Sequence, residues 1–159
     1  MRVNYQELPG AMEAMQQLSQ VSHSAGIEPE LLELIKVRAS QINGCAFCLD
    51  MHSKDALARG ETTQRLLGVA AWEEAPYYSE RERSALRWCE CLTLLPKLRA
   101  PEEVFSQLQR NFTEKEILAL TMEIVAINGW NRLAVGFEAP VGTYSSPLAK
   151  EPAAVAGSG

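Results

Sequence analysis

Gln41-Ile42-Asn43-Gly44-Cys45-Ala46-Phe47-Cys48-Leu49-Asp50-Met51-His52 sets a helix stop directly against a helix start, and this junction decides how the chain is read. Asn43-Gly44 is a turn pair able to take φ > 0 and close a preceding helix; the residues after it continue as a helix to Arg59, ahead of Gly60. Both cysteines are then expected in a first turn. There, unpaired backbone N–H groups and the positive end of the helix dipole favour a thiolate. Helical spacing puts Cys45, Cys48 and His52 (i, i+3, i+7) on one stripe. A Cys-x-x-Cys pair on a helix is close enough to close a disulfide, and His52, one turn past Cys48, can take up or relay its proton. The pattern outlines redox or peroxide chemistry. The same residues also fit a structural zinc half-site or an inert buried pair. Zinc needs four ligands, and the remaining sulfurs, Cys89 and Cys91, stand i, i+2 on a predicted helix, about 200° apart around its axis, so they do not easily face one metal.

Beyond the junction, 159 residues with 47% apolar content suit one domain with a substantial core. The net charge of −5, with no Lys/Arg cluster, argues against nucleic acid and anionic membrane surfaces as partners. No basic segment followed by an apolar run opens the chain, and no stretch approaches the roughly 20 apolar residues of a membrane span, so a cytoplasmic protein is expected. In that reducing compartment a Cys-x-x-Cys is more often catalytic, redox-active or metal-binding than a permanent staple. No Gly-x-Gly-x-x-Gly follows a strand pattern, so neither a nicotinamide nor a flavin cofactor is expected.

Helical periodicity dominates on both sides of the junction and no alternating strand is evident, which makes the fold class all-α, with about six to eight helices in one bundle. Upstream, Pro29 suits the first turn of a helix reaching about Ile42 and burying Leu31, Leu34, Ile35 and Ile42. Glu33 stands among them. It reads either as a surface carboxylate paired at i+3/i+4, with Lys36 in reach, or as a carboxylate turned inward to serve as a base through His52. Before that helix, Pro9 to Ser22 forms another, with Met12, Met15, Leu18 and Val21 as an apolar stripe, and His23 follows in a polar turn. Downstream, Thr62-Thr63 caps a short helix carrying Leu66, Leu67, Val69, Ala70 and Trp72. Ser79 with Glu82 is a capping box opening a long helix that stops before Pro96, and it carries Cys89 and Cys91 as core cysteines. Pro101-Glu102-Glu103 opens the next, through Leu108. Thr113 with Glu116 is a second capping box, and the longest apolar segment runs from Ile117 to about Val135.

Ala126-Ile127-Asn128-Gly129-Trp130 echoes Gln41-Ile42-Asn43-Gly44-Cys45, so two readings stand: a degenerate repeat of helix, Asn-Gly break and helix, or two unrelated helix ends with one stop signal. Residues 141–159, rich in Pro, Ala, Gly and Ser, are expected to be an extended or disordered tail on a domain spanning 1–140.

A Glu twelve residues before the first cysteine of Cys45-Ala46-Phe47-Cys48, with a His four residues after the second, resembles the site of AhpD-like alkylhydroperoxidases in the carboxymuconolactone decarboxylase superfamily. The likeness is densest over residues 29–60, and Asn128-Gly129-Trp130-Asn131-Arg132 resembles the later helix of the family. The resemblance implies an AhpD-like bundle without metal or organic cofactor, in a homo-oligomer, most simply a trimer or hexamer. It implies that Cys48 is the peroxidatic thiol, Cys45 the resolving thiol, and Glu33 with His52 the proton relay. It further implies a hydroperoxide substrate and an external dithiol reductant, lipoyl or thioredoxin-like. The decarboxylase branch lacks this dithiol. The best-studied peroxidases of the family carry a His before the second cysteine, where this chain has Phe47. The alternative from another class is a redox-responsive binding or disulfide-exchange module without peroxide turnover. Trp72, Trp88 and Trp130 are expected to help leave an apolar face that self-association covers.

Overall fold

The structure, a computed structural model, describes residues 1–149. Eight α-helices follow in order: α1 (Pro9–Val21), α2 (Pro29–Asn43), α3 (Ala46–Ala58), α4 (Thr63–Gly68), α5 (Glu80–Thr93), α6 (Leu95–Leu98), α7 (Glu102–Asn111) and α8 (Glu114–Gly136). Short 3-10 turns occupy Tyr5–Glu7, Ser22–Ala25 and Val69–Ala71, and no strand occurs among the described residues. The expected all-α bundle is the observed one.

Helix α2 is the axis of the bundle, packed against α3, α5 and α8. Pro29 at its start loses no helical hydrogen bond, and nine of its 15 residues are buried. Leu32, Leu34, Ile35 and Val37 are all but sealed from solvent, each contributing about 1.5–3 kcal/mol of burial. An axis surrounded on all sides has few positions for polar groups, so its buried Glu33, Lys36 and Ser40 are notable. Gly44 ends the helix in the left-handed region (φ 67°, ψ 32°), where a Cβ is unfavourable, and the Cys45 N–H returns to the Ser40 carbonyl at 3.0 Å.

The second Asn-Gly pair behaves differently, which corrects both readings of the echo: it neither breaks nor ends a helix. Asn128-Gly129 lies inside the unbroken 23-residue α8, because its helical hydrogen bonds continue and α1 covers the glycine. A Cβ at position 129 would come within 2.8 Å of Met15 Cε, the end of a flexible side chain, and Gly129 is not among the glycines with positive φ. The two asparagines nevertheless meet: Asn43 Nδ2 donates to Asn128 Oδ1 at 3.0 Å and to Asn131 Oδ1 at 2.9 Å, and Asn131 Nδ2 donates to Ser40 Oγ at 3.0 Å. This polar staple pins the end of α2, and so the start of α3, to the middle of α8.

Three smaller expectations also change. Helix α5 stops before Pro96 as read, but it ends at Thr93, and Pro96 sits in the first turn of the separate α6, where its missing N–H costs nothing. The α1 stripe fills no core; none of its residues is fully buried and Val21 is half exposed, because α1 lies across α8 as an outer layer. Trp72 and Trp88 are core residues, so surface apolar area comes instead from Leu67, Leu118, Val125 and Val135. Of the expected tail, residues 150–159 lie outside those described; residues 140–149 carry no helix, and the Tyr144 hydroxyl donates to Asp55 Oδ1 at 2.8 Å.

Both capping boxes form as read, at Ser79/Glu82 and Thr113/Glu116. The Thr113 backbone N–H, then the Arg81 guanidinium, pull the Glu116 carboxyl down to about 2. A depressed carboxyl contributes stability that is complete above its ordinary value of 4.5 and lost as pH falls toward about 2. Glu116→Gln is therefore expected to flatten the acid limb of the stability curve in that window, and Thr113→Ala to cost about 1 kcal/mol at neutral pH, both read by denaturant titration. An unchanged acid limb in the glutamine variant would contradict the first.

Candidate active site

The junction delivers its cysteines in a slightly different way from the sequence reading. Cys45 is not in the first helical turn but is the N-cap of α3 (φ −87°, ψ 95°), and its Sγ accepts the Cys48 backbone N–H at 3.3 Å. The Gly44 turn has already left the helix, and the cap is the first position of the next one. Cys48 is the third residue of α3, in its first turn as expected. The two are joined as a disulfide with Cα atoms 5.4 Å apart. Both are nearly sealed, but Cys48, not Cys45, reaches the wall of a cavity of about 570 Å³.

One turn further, His52 lines the same cavity and its Nδ1 lies 3.0 Å from Glu33 Oε2. Glu33 is turned inward and buried, and it keeps the i+3 pairing with Lys36 as well: Lys36 Nζ donates to Glu33 Oε1 at 3.1 Å, within α2. Burial alone would raise the Glu33 carboxyl, but the His52 hydrogen bond and then the Lys36 ammonium outweigh it and hold it below its ordinary value. An ionised Glu33 can only accept, so Nδ1 of His52 carries the proton and Nε2 remains the basic nitrogen.

The structure adds residues that the sequence reading missed. Lys36 also bridges to Glu123 Oε1 at 3.4 Å, and Ser22 Oγ donates to Glu123 Oε2. Lys36 and Glu123 line the cavity with His52 and Cys48. Glu123 was legible in principle, as the single acid within the apolar run Ile117–Val135. Asp55, one turn past His52, brings its carboxylate into the group formed with Glu33 and His52, within 4.8 Å. Arg59 Nε lies 3.8 Å from Glu33 Oε1. Three carboxylates against Lys36 and Arg59 leave the cluster one negative charge when His52 is neutral. Above this floor the walls are apolar, from Met12, Phe47, Met51, Ile127, Trp130 and Ala134. Met12 therefore belongs to the cavity, and exposed His23 to its rim.

The other thiols stand apart. Cys89 is fully buried in α5, with Sγ 3.6 Å from the Ile35 carbonyl, and burial pushes its thiol up to about 12, which leaves it protonated and unreactive. Cys91 is buried too, and burial raises it as well.

Residues 9–90 match the model of the carboxymuconolactone decarboxylase family. The chain is 40% identical over 135 residues to the uncharacterized protein YdfG of Bacillus subtilis, covering 84% of this chain and 92% of that one. It is 28% identical to the uncharacterized protein YnjA of Escherichia coli, over 79% of this chain and 66% of that one. Among solved structures it superposes with TM-score 0.85 on ATU0492 of Agrobacterium tumefaciens, at 40% identity over 90% of this chain and 99% of that one. ATU0492 is of unknown function, with an AhpD antioxidant-defence assignment suggested for it. The debrominase Bmp8, at 20% identity and TM-score 0.76 over 86% of this chain and 74% of that one, shares the fold. With its dithiol junction and all-helical bundle, the chain belongs to the carboxymuconolactone decarboxylase family, as an AhpD-like member.

Proposed function

We propose that the protein is a thiol-dependent hydroperoxide reductase. The observation that carries the reading is one cavity bounded by Cys48, with His52 beside it and Glu33 behind His52. In the reduced state His52 Nε2 takes the Cys48 proton as Glu33 stabilises the imidazolium. The thiolate attacks the distal oxygen of ROOH, the O–O bond breaks, and the proton passes from His52 to the departing alkoxide to give ROH. Cys48 is left as a sulfenic acid. The Cys45 thiol displaces its hydroxyl as water and closes the Cys45–Cys48 disulfide. An external dithiol, lipoyl or thioredoxin-like, then reduces that bond and is itself oxidised.

The cycle runs in a cytoplasmic thiol pool. No helix among the described residues is long and apolar enough to cross a membrane. The enzyme works as a homo-oligomer, trimer or hexamer, whose contacts would cover exposed Leu118 and Val125 on α8. Stopped-flow mixing of reduced protein with cumene hydroperoxide is expected to oxidise the dithiol orders of magnitude faster than free cysteine, with multiple turnovers once dihydrolipoamide is supplied. A rate no better than free thiol removes the peroxidase reading. A change of assembly state between oxidised and reduced protein, without turnover, would favour the redox-switched module instead.

A further inference from the structure

We propose that Lys36 is a catalytic residue of this site, the cation that stabilises the oxygen leaving the hydroperoxide. The inference rests on the hydroperoxide reading and extends it to a group that the sequence motif does not contain. Breaking the O–O bond of an alkyl hydroperoxide releases an alkoxide, a strong base, into an apolar cavity. A developing anion there requires a fixed positive charge or a proton.

Lys36 meets the geometric requirement. Lys36 is buried, and it lines the same cavity as His52 and Cys48. Glu33 at 3.1 Å and Glu123 at 3.4 Å hold it from two sides, and the Ser22 hydroxyl in turn holds Glu123. An ammonium has three N–H donors; among the described residues Glu33 takes one in a hydrogen bond and Glu123 stands at ion-pair distance, so at least one donor is left for a further acceptor. The two carboxylates come from different helices, α2 and α8. They fix a long, flexible side chain in place before the reaction, which is what electrostatic preorganisation requires.

The step balances without any other component. The Cys48 thiolate donates an electron pair to the distal oxygen, the O–O pair leaves with RO⁻, Lys36 holds that oxygen, and the proton held on His52 completes ROH. Lys36 keeps its own proton, and only its charge is used.

Leaving-group chemistry tests this. A peracid loses a carboxylate, a weak base that needs little stabilisation, while cumene hydroperoxide loses an alkoxide. The ratio of the two oxidation rates cancels any effect of Lys36 on forming the Cys48 thiolate. Lys36→Met is expected to lower the ratio of cumene hydroperoxide to peracetic acid rates about 10²-fold, the scale of removing one oxyanion donor. Lys36→Arg, which keeps a cation, is expected to restore most of it. Because Lys36→Met strands two buried carboxylates, the double variant Lys36→Met/Glu123→Gln, checked for folding by circular dichroism, carries the same expectation. A ratio unchanged in the folded variants overturns the proposal while leaving the peroxidase reading intact, whether the two rates fall together or stay as they were. A parent protein that reacts with neither oxidant faster than free thiol takes down both.

Discussion

Cys48→Ser is expected to abolish hydroperoxide consumption, leaving no more than the background of a buried thiol, while Cys45→Ser is expected to react once and stop as a sulfenic acid at Cys48. The asymmetry follows from exposure. Cys48 forms part of the cavity wall and Cys45 does not, so a peroxide in the cavity meets only one sulfur. Cys45 is equipped for a different step. As the α3 N-cap it accepts the Cys48 N–H at 3.3 Å, and the same donor would stabilise a thiolate leaving from Cys45 when a reductant attacks the Cys48 sulfur. Serine at 45 keeps the capping hydrogen bond, since Ser is a preferred N-cap, so the helix start survives and the variant isolates the chemistry. Dimedone labelling followed by mass spectrometry reads the result directly. Rapid labelling of Cys45 in a Cys48→Ser protein would reverse the two roles and leave the dithiol chemistry standing.

The N-cap geometry also shows where a one-dimensional reading reaches its end. Asn43-Gly44 announced the break and the spacing Cys45, Cys48, His52 announced a shared face, because turn chemistry and helical period are local properties. Whether Cys45 stands in the first turn or on its threshold depends on how the Gly44 turn unwinds, and sequence positions move by a residue or two at such ends. The orientation of Glu33 could not be read from spacing, since either face of a helix buried on all sides points inward; it is settled by α3 placing His52 opposite. Glu123 lies 90 residues from Glu33, and only the packing of α8 on α2 joins them through Lys36. Asn128-Gly129 repeats the local stop signal without its effect: it lies within the continuous α8, on which α1 packs.

Glu33→Gln and His52→Ala are each expected to slow oxidation of Cys48 by roughly 10²–10⁴-fold, the range for losing a positioned acid or base. The glutamine variant is the more informative. It is nearly isosteric, and its amide oxygen can still accept the His52 Nδ1–H, so the ring keeps its place; Lys36 keeps Glu123 as its partner. What changes is the charge. The parent cluster of Glu33, Glu123 and Asp55 with Lys36 and Arg59 carries one negative charge, which a proton arriving on His52 cancels. The Lys54–Asp50 pair beyond it is neutral as a unit and does not alter the balance. In the Glu33→Gln protein the cluster begins neutral, and the same proton creates an uncompensated buried positive charge, which is costly at low dielectric. His52 is then a poorer base toward Cys48. The deficit should shrink as pH rises through the ordinary thiol range near about 8.5, where Cys48 ionises without help. Stopped-flow rates from about pH 6 to about pH 10 in both variants provide the measurement. A loss that stays constant across that range would mean that Glu33 and His52 position the peroxide or hold the fold, and do not carry the thiol proton.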